Sequence, residues 1–495
     1  MNKKVIIIGA GIGGITTAIY LSRQGYKVLV VEKNNFPGGR CASFTREGHR
    51  FDLGATLLMM PEVYRSIYND FGTTLEEQMN LFRMDPVYSL RYANGTELRF
   101  TSDLAGMRNQ LEKMEPGSYP SFLRYMDESY RSYLLAMKRI IDVNYYNIFD
   151  FINIPNLIML GRTRAFSNHY KRSASFFSSE ELRIAFTFQN IYVGQNPYHA
   201  SAIFAMLPFL ELTEGVWYPE GGMNRVVESL VNIAIGNGVE FRYKSDVEKI
   251  LTEHNRVTGV LLQHGETENA DIVVSNADLP YIYNELLPES PYIRKLERMK
   301  YTCSALVYYW GMDKDFPELE QHNVFVSPDY RKNIEGVFRG DEQAYEPSFY
   351  LHSPVKSDLT AAPAGQASVS IIVPLDYLRR DKEYDWEKIR QENRKAVLTR
   401  LSDEGLPGFE NHIKFESVYQ PMTWKAVFNL SRGAIFGSLS HHLMQMGYFR
   451  PHNQHKRYKN LFFTGGSTHP GNGVPMALLS AKLTAAKILK FFPFQ

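Results

Sequence analysis

Apolar residues along the chain follow two rhythms. Near the N-terminus, "KKVIIIGAGIGGITTAIYLSRQGYKVLVVEK" opens with a short β-branched run at 5–8, suited to a strand buried on both faces. Glycines interrupt it, residues 12–24 read as a helix, and a second apolar strand at 28–31 ends in Glu32. From about 111 to 215 the rhythm turns helical. Phe122, Tyr125, Met126, Tyr130, Tyr133, Leu134, Met137, Ile140 and Ile141 recur at three- and four-residue steps, predicting one apolar helix face. The aromatic and aliphatic stretch "NYYNIFDFINIPNLIMLGRTRAF" then leads into Arg162, Arg164, Lys171 and Arg172. Apolar residues beside a basic cluster fit a helix lying in a membrane interface, and equally a core helix with a solvated basic end. Residues 218–250 predict a further helix and strands, continued by "GVLLQ" and "ADIVVSNADL". From about 285 to 435 strands and helices alternate, "CSALVYYWGMD" and "ASVSIIVPL" being the clearest strands. "NLFFTGG" predicts a last strand at 461–464, followed by a helix opening near Val474.

A chain of 495 residues exceeds what one hydrophobic core serves, so two or three subdomains are expected. A net charge of +2 does not point to nucleic acid as a partner. The 31 Tyr and 31 Phe fit a large apolar pocket or a large core. Cys41 and Cys303 are the two cysteines; they form no CxxC, no zinc constellation and no closely spaced redox pair, which predicts no metal and a reducing compartment. Nothing approaches eighteen consecutive apolar residues, and the N-terminal apolar run reads as a strand rather than a signal peptide.

Candidate chemistry gathers at the two ends. Gly9, Gly11 and Gly14, with Gly13 beside them, form GxGxxG between a strand and a helix: the first permits the turn, the second admits a pyrophosphate, the third allows close helix–strand packing. Glu32, followed by Lys33, stands where a carboxylate accepts hydrogen bonds from ribose hydroxyls, about twenty residues on. "PGGR" at 37–40 resembles the Gly-Gly-Arg segment of a large group of FAD proteins, in which Gly39 and Arg40 would run along the diphosphate. "FDLGAT" at 51–56, ending in Thr56, resembles the loop that group brings near the flavin ring, and Val247 resembles the position whose backbone lies against adenine. At the C-terminus Gly465, Gly466, Gly473, Val474, Pro475 and Met476 are expected to cover the flavin end, with a helix N-terminus facing its pyrimidine side. There is no second GxGxxG, so no dedicated NADPH site is expected.

Over nearly its whole length the chain resembles the carotenoid desaturases of the bacterial phytoene desaturase family. The resemblance rests on "GAGIGG", "VVEK", "PGGR", "FDLGAT" and "YPEGGM", and most selectively on "QPMTWKAVFNLSRGAIFG" and "YFRPHNQHKRYKNLFFTGGSTHPGNGVPMALLSAK". It implies an α/β protein with a doubly wound, Rossmann-like (GR2-type) FAD-binding domain, an inserted mixed-sheet substrate domain and a helical lobe as the membrane contact. The expected division is 1–110, 216–284 and 436–495 for FAD, 111–215 for the lobe and 285–435 for the substrate domain. It further implies non-covalent FAD, an apolar polyene substrate and oxygen or a quinone as electron acceptor. The location implied is cytoplasmic, at the inner face of the cell membrane. Ala55, where phytoene desaturases commonly carry proline, and the following "LLMMP" lean toward 3,4-desaturation of a 1-hydroxycarotenoid, with phytoene desaturation as the alternative. A polyene saturase, an amine oxidase and a non-catalytic carotenoid-binding flavoprotein remain as further readings. No proton acceptor is evident; His469 is the first candidate, ahead of Glu220, Tyr218 and Trp424.

Overall fold

The β-branched run of the N-terminus forms strand Lys4–Ile8, the centre of a five-stranded parallel sheet ordered Leu461–Phe463, Ile272–Ser275, Lys4–Ile8, Lys27–Val31, Glu240–Arg242. The computed structural model describes residues 3–340 and 346–493. Alternation sorts the central strands onto two cores. Val5, Ile7, Val28 and Val30 pack under helices Ile12–Ser22, Asn224–Gly236 and Val474–Phe491. Ile6, Ile8, Leu29 and Val31 pack under the antiparallel sheet Val247–Glu253, Arg256–Leu262, Thr267–Asn269. Covering both faces is what makes a parallel sheet stable, and explains why these strands read as unbroken apolar runs.

A second sheet of seven strands is ordered Ile413–Tyr419, Ser304–Met312, Ala367–Leu375, Phe349–His352, His322–Val326, Tyr88–Tyr92, Glu97–Phe100. The last two correct the expected boundary. Residues 88–100 do not accompany the nucleotide-binding segments but extend this sheet, Tyr88–Tyr92 pairing in parallel with His322–Val326. The register pairs Val324 with Tyr350, Tyr350 with Ile372, and Ile372 with Val307, so these four side chains form a row across one face.

Between the sheets' edges lies a lobe of helices, including Ser118–Ala136, Ile154–Arg162, Glu180–Ala185 and Met206–Thr213. The apolar stripe predicted on the first of these is divided. Phe122 and Tyr125 are buried, while Tyr130 and Leu134 face outward, because the helix meets its neighbours over a narrower arc than the sequence pattern spans. Among the described residues, no helix is long and apolar enough to cross a membrane.

Candidate functional site

One cavity runs from the end of the parallel sheet to the space between lobe and seven-stranded sheet. At its first end Gly9 adopts φ +95°, turning the chain out of its strand, and donates its N–H to the Val31 carbonyl at 2.8 Å. A Cβ on Gly14 would lie 2.2 Å from the Gly9 carbonyl oxygen, and one on Gly11 2.4 Å from Oδ1 of Asn276. The helix Ile12–Ser22 therefore approaches the strand end at a distance only glycine permits, and its free N–H groups open onto the cavity. Gly11, Gly13, Glu32, Lys33, Gly39, Arg40, Thr56 and Val247 all line the cavity with Gly9. Gly14 sits behind them as the packing glycine.

The Glu32 carboxylate is held by the N–H groups of Ala10 at 2.8 Å and Asn34 at 2.9 Å. Lys33 turns its ammonium to the Ala426 carbonyl and to Oδ1 of Asn429, each 2.6 Å away. Arg40 donates to the Ile435 carbonyl at 2.8 Å and makes no ion pair among the described residues. Burial pulls its pKa down and nearby Asp278 partly opposes this. That carboxyl is itself raised by burial, while accepting from Ser438 at 2.6 Å and Ser431 N–H at 3.0 Å.

The closing turn meets the opening one. A Cβ on Gly13 would lie 3.1 Å from the Gly465 nitrogen, and Asn276 donates to the Thr464 carbonyl at 3.1 Å. Gly465, Gly466, Gly473, Val474, Pro475 and Met476 line the cavity, the last three opening helix Val474–Phe491. Behind them, Arg450 is fully buried. It donates to the carbonyls of Thr468 at 2.8 Å and Gly466 at 2.6 Å, and to Oδ1 of Asn472 at 2.9 Å. Desolvation lowers its pKa to about 9. Asn453 donates to the His469 carbonyl at 2.9 Å and to Ser480 at 3.1 Å, tying the turn to the helix.

His469 is placed elsewhere. It does not line the cavity; its Nε2 lies 2.8 Å from the Val143 carbonyl, joining the turn to the lobe, and burial pushes its pKa down to about 3. Trp424 is buried with its N–H on the Ala305 carbonyl at 2.9 Å, Glu220 accepts from Asn80 at 2.9 Å, and Tyr218 donates to Asp52 at 2.7 Å. None of the three reaches the cavity.

The set fits FAD on chemical grounds. A glycine cradle that added Cβ atoms would fill, a carboxylate at a strand end, two helix N-termini and a half-buried guanidinium with no ion pair among the described residues suit ribose, diphosphate and an anionic ring system.

Past Thr56 the cavity becomes an apolar gallery. Val307, Val324 and Ile372 of the seven-stranded sheet form one wall, and Tyr133, Ile140 and Leu210 of the lobe face them. Polar side chains line the cavity as well, among them Tyr192, Tyr330 and His441, and two polar clusters stand beside the gallery. Tyr350 places its hydroxyl 2.9 Å from Oγ1 of Thr56 and 2.7 Å from Nδ1 of His322. Glu211, fully buried behind the lobe wall, accepts from Tyr88 at 2.8 Å and Gln189 at 3.3 Å, and desolvation raises its pKa to about 8. Asn276, Arg450 and Tyr350 are the site residues that sequence reasoning missed. The "RPHN" and "VVSNAD" segments carry the first two in plain view, whereas nothing local marks Tyr350.

Residues 12–489 match the family described as flavin containing amine oxidoreductase. The zeta-carotene-forming phytoene desaturase of Myxococcus xanthus is 37% identical over 490 residues, covering 99% of this chain and 94% of that one. The phytoene desaturase of Phycomyces blakesleeanus is 39% identical over 500 residues, covering 99% of this chain and 86% of that one. Among solved structures, a putrescine oxidase bound to putrescine superposes with a TM-score of 0.66 at 15% identity, over 99% of each chain.

Proposed function

The chain belongs to the flavin-containing amine oxidoreductases, as an FAD-dependent oxidoreductase of the carotenoid desaturase type, and from that premise we propose that its substrate is phytoene. The supporting observation is the gallery. Its lining beyond Thr56 is mainly aliphatic and aromatic, and the carboxylates that line the cavity, Glu32, Asp246 and Asp278, stand at the nucleotide end rather than where a cationic amine would lie. Both curated relatives bear phytoene in their names. Together these favour the unhydroxylated polyene over the 1-hydroxycarotenoid toward which Ala55 and residues 57–61 lean.

Bound FAD would supply the acceptor for a hydride from an allylic carbon. The residues of this chain perform the rest. Gly9, Gly11, Gly39 and Arg40 would hold the diphosphate, Glu32 a ribose, and the N-terminus of Val474–Phe491 the flavin end. The gallery draws the polyene out of lipid or water by apolar burial, at about 25 cal/mol per Å². Its walls hold the chain lengthwise and keep water from the reacting carbons. Dioxygen or a quinone would serve as the electron acceptor.

Delivery of such a substrate calls for contact with the inner face of a membrane. Phe149, Ile154 and Phe166 are 76%, 73% and 71% exposed, with Leu157 and Ile158 also outward and Arg162 and Lys171 nearby. This patch adjoins the cavity: Phe151 packs against Gly447, which lines it, and the lobe segment carrying Ile140 and Ile141 leads into the patch. The patch thus supports a monotopic, interface-bound attachment. Vesicle flotation tests it: serine at 149, 154, 157 and 166 together should release the folded protein, and unchanged flotation would refute the contact.

The substrate test mixes FAD-loaded protein, without oxygen, with liposomes holding phytoene or a 1-hydroxylated acyclic carotenoid. Mass spectrometry should show loss of two hydrogens per step from phytoene. Loss from the hydroxylated compound alone would return the reading to 3,4-desaturation. Loss from neither would favour a saturase, an amine oxidase or a carotenoid carrier.

A further inference from the structure

Desaturation removes a proton as well as a hydride, and of the polar side chains lining the cavity, which include Tyr192, Tyr330 and His441, Tyr350 is hydrogen-bonded both to Thr56 and to a buried histidine. Tyr350 stands in the row of sheet residues that forms the gallery wall, between Val324 and Ile372. Its hydroxyl bridges Thr56, in the loop at the boundary between nucleotide site and gallery, and Nδ1 of His322. Behind it the antiparallel register pairs His322 with His352, and the two imidazoles stack at 5.1 Å with an interplanar angle of 7°. Tyr218 meets His352 edge-on at 5.5 Å and donates to the buried Asp52 carboxylate. Nε2 of His322 and Nε2 of His352 are both buried without a protein hydrogen-bond partner. Buried polar atoms are normally satisfied, so two orphaned ring nitrogens side by side next to a reaction chamber ask for a functional reason. Burial disfavours the charged form of both rings, which keeps His322 neutral and its Nδ1 free to accept.

Resting on the desaturase reading above, we propose that Tyr350 is the proton acceptor of the reaction, acting with His322 as a relay. The electron pair of one C–H bond leaves as hydride to the bound flavin, which dioxygen or a quinone later reoxidises. The proton on the adjacent carbon passes to the Tyr350 oxygen as the phenol's own proton passes to Nδ1 of His322. The electrons of that second C–H bond become the new double bond. The proton stored on His322 leaves as the reduced flavin passes its electrons to dioxygen or a quinone, giving hydrogen peroxide or quinol and balancing the cycle. A weak base suffices, because hydride loss leaves an electron-poor carbon beside the C–H bond, and that proton is then strongly acidic. Thr56, donating to the phenol oxygen, fixes its orientation; Tyr350 touches the substrate, whereas His322 acts through it.

The test uses FAD-loaded protein and variants Tyr350→Phe and His322→Gln, both checked for retained FAD. Flavin reduction is followed without oxygen in H2O and D2O, with phytoene liposomes or whichever acyclic polyene the wild type dehydrogenates. The wild type should show a solvent isotope effect. Both variants should reduce flavin about 10²-fold more slowly, with polyene affinity unchanged and the isotope effect gone. Wild-type rates in Tyr350→Phe, or a change in affinity alone, would overturn the relay, whereas a wild type inert toward phytoene but active on another polyene overturns only the substrate reading. Independently of turnover, ¹⁵N-histidine NMR of the resting protein should show His322 neutral, protonated at Nε2 and hydrogen-bonded at Nδ1, with that Nδ1 signal shifted in Tyr350→Phe. A proton on Nδ1 in the wild type would refute the direction of transfer.

Discussion

Glu211 gives a prediction whose size follows from its surroundings. Among the described residues its carboxyl is fully buried, accepts only from the neutral donors Tyr88 and Gln189, and has no cation at hand to offset ionisation. Desolvation displaces its pKa from 4.5 to about 8. Below pH 4.5 the folded and unfolded chains are both protonated there. As pH rises toward 8 the unfolded chain ionises while the folded one keeps its proton, so folding loses stability across that window and no more above it. At 1.36 kcal/mol per pH unit, the full loss is about 5 kcal/mol. Glu211→Gln keeps the shape and an acceptor for Tyr88 but cannot ionise. Urea unfolding of the FAD-saturated wild type and variant at pH 5, 6, 7 and 8 should give near-equal stabilities at pH 5. The variant should pull ahead progressively, by about 4 kcal/mol at pH 8. The difference between the two proteins cancels every other titrating group. A constant offset from pH 5 to 8, or a variant that falls behind as pH rises, would refute the assignment of a protonated, buried Glu211.

Gly14→Ala forces helix Ile12–Ser22 away from the Gly9 carbonyl, so FAD affinity should fall at least tenfold and stability by about 1–3 kcal/mol. Gly236→Ala, where an added Cβ meets nothing within 4 Å, serves as the control and should leave FAD binding unchanged; flavin fluorescence titration and melting read both. Arg40→Met removes a charge-assisted hydrogen bond to phosphate worth about 1.5–3 kcal/mol, so the FAD Kd should rise roughly 10- to 150-fold. An unaltered Kd would place the diphosphate elsewhere.

The nucleotide-binding unit was legible because its signals are local. Gly9, Gly11 and Gly14 lie within six residues, and the unbroken apolar runs at 5–8 and 28–31 declare two strands buried on both faces. The hairpin of Tyr88–Tyr92 and Glu97–Phe100 was grouped with the nucleotide-binding segments because its sheet partner is His322–Val326, far along the chain. Alternation tells which residues share a face, not which strand lies beside them. The same limit hid Tyr350 and His322, which meet only through the register of two strands. Arg450 sat in a segment already singled out, yet its partners are backbone carbonyls of loops whose path no side-chain pattern encodes. The lobe misled differently. A 3.6-residue apolar rhythm predicts amphipathicity, and Tyr130 and Leu134 show that part of an apolar face can be left outward.

The two ends of the chain share one sheet, Leu461–Phe463 lying one strand away from Lys4–Ile8. On the ribosome, at about 5–20 residues per second, the opening strand waits roughly 25–90 s before Leu461–Phe463, at the edge of its sheet, is made. During that interval the helix Ile12–Ser22 lacks the cover of Val474–Phe491 and the opening glycine turn lacks its counterpart at Gly465. Cofactor loading thereby depends on residues 461–491, and a chain that stops short of them carries the first half of the flavin site and no means of closing it.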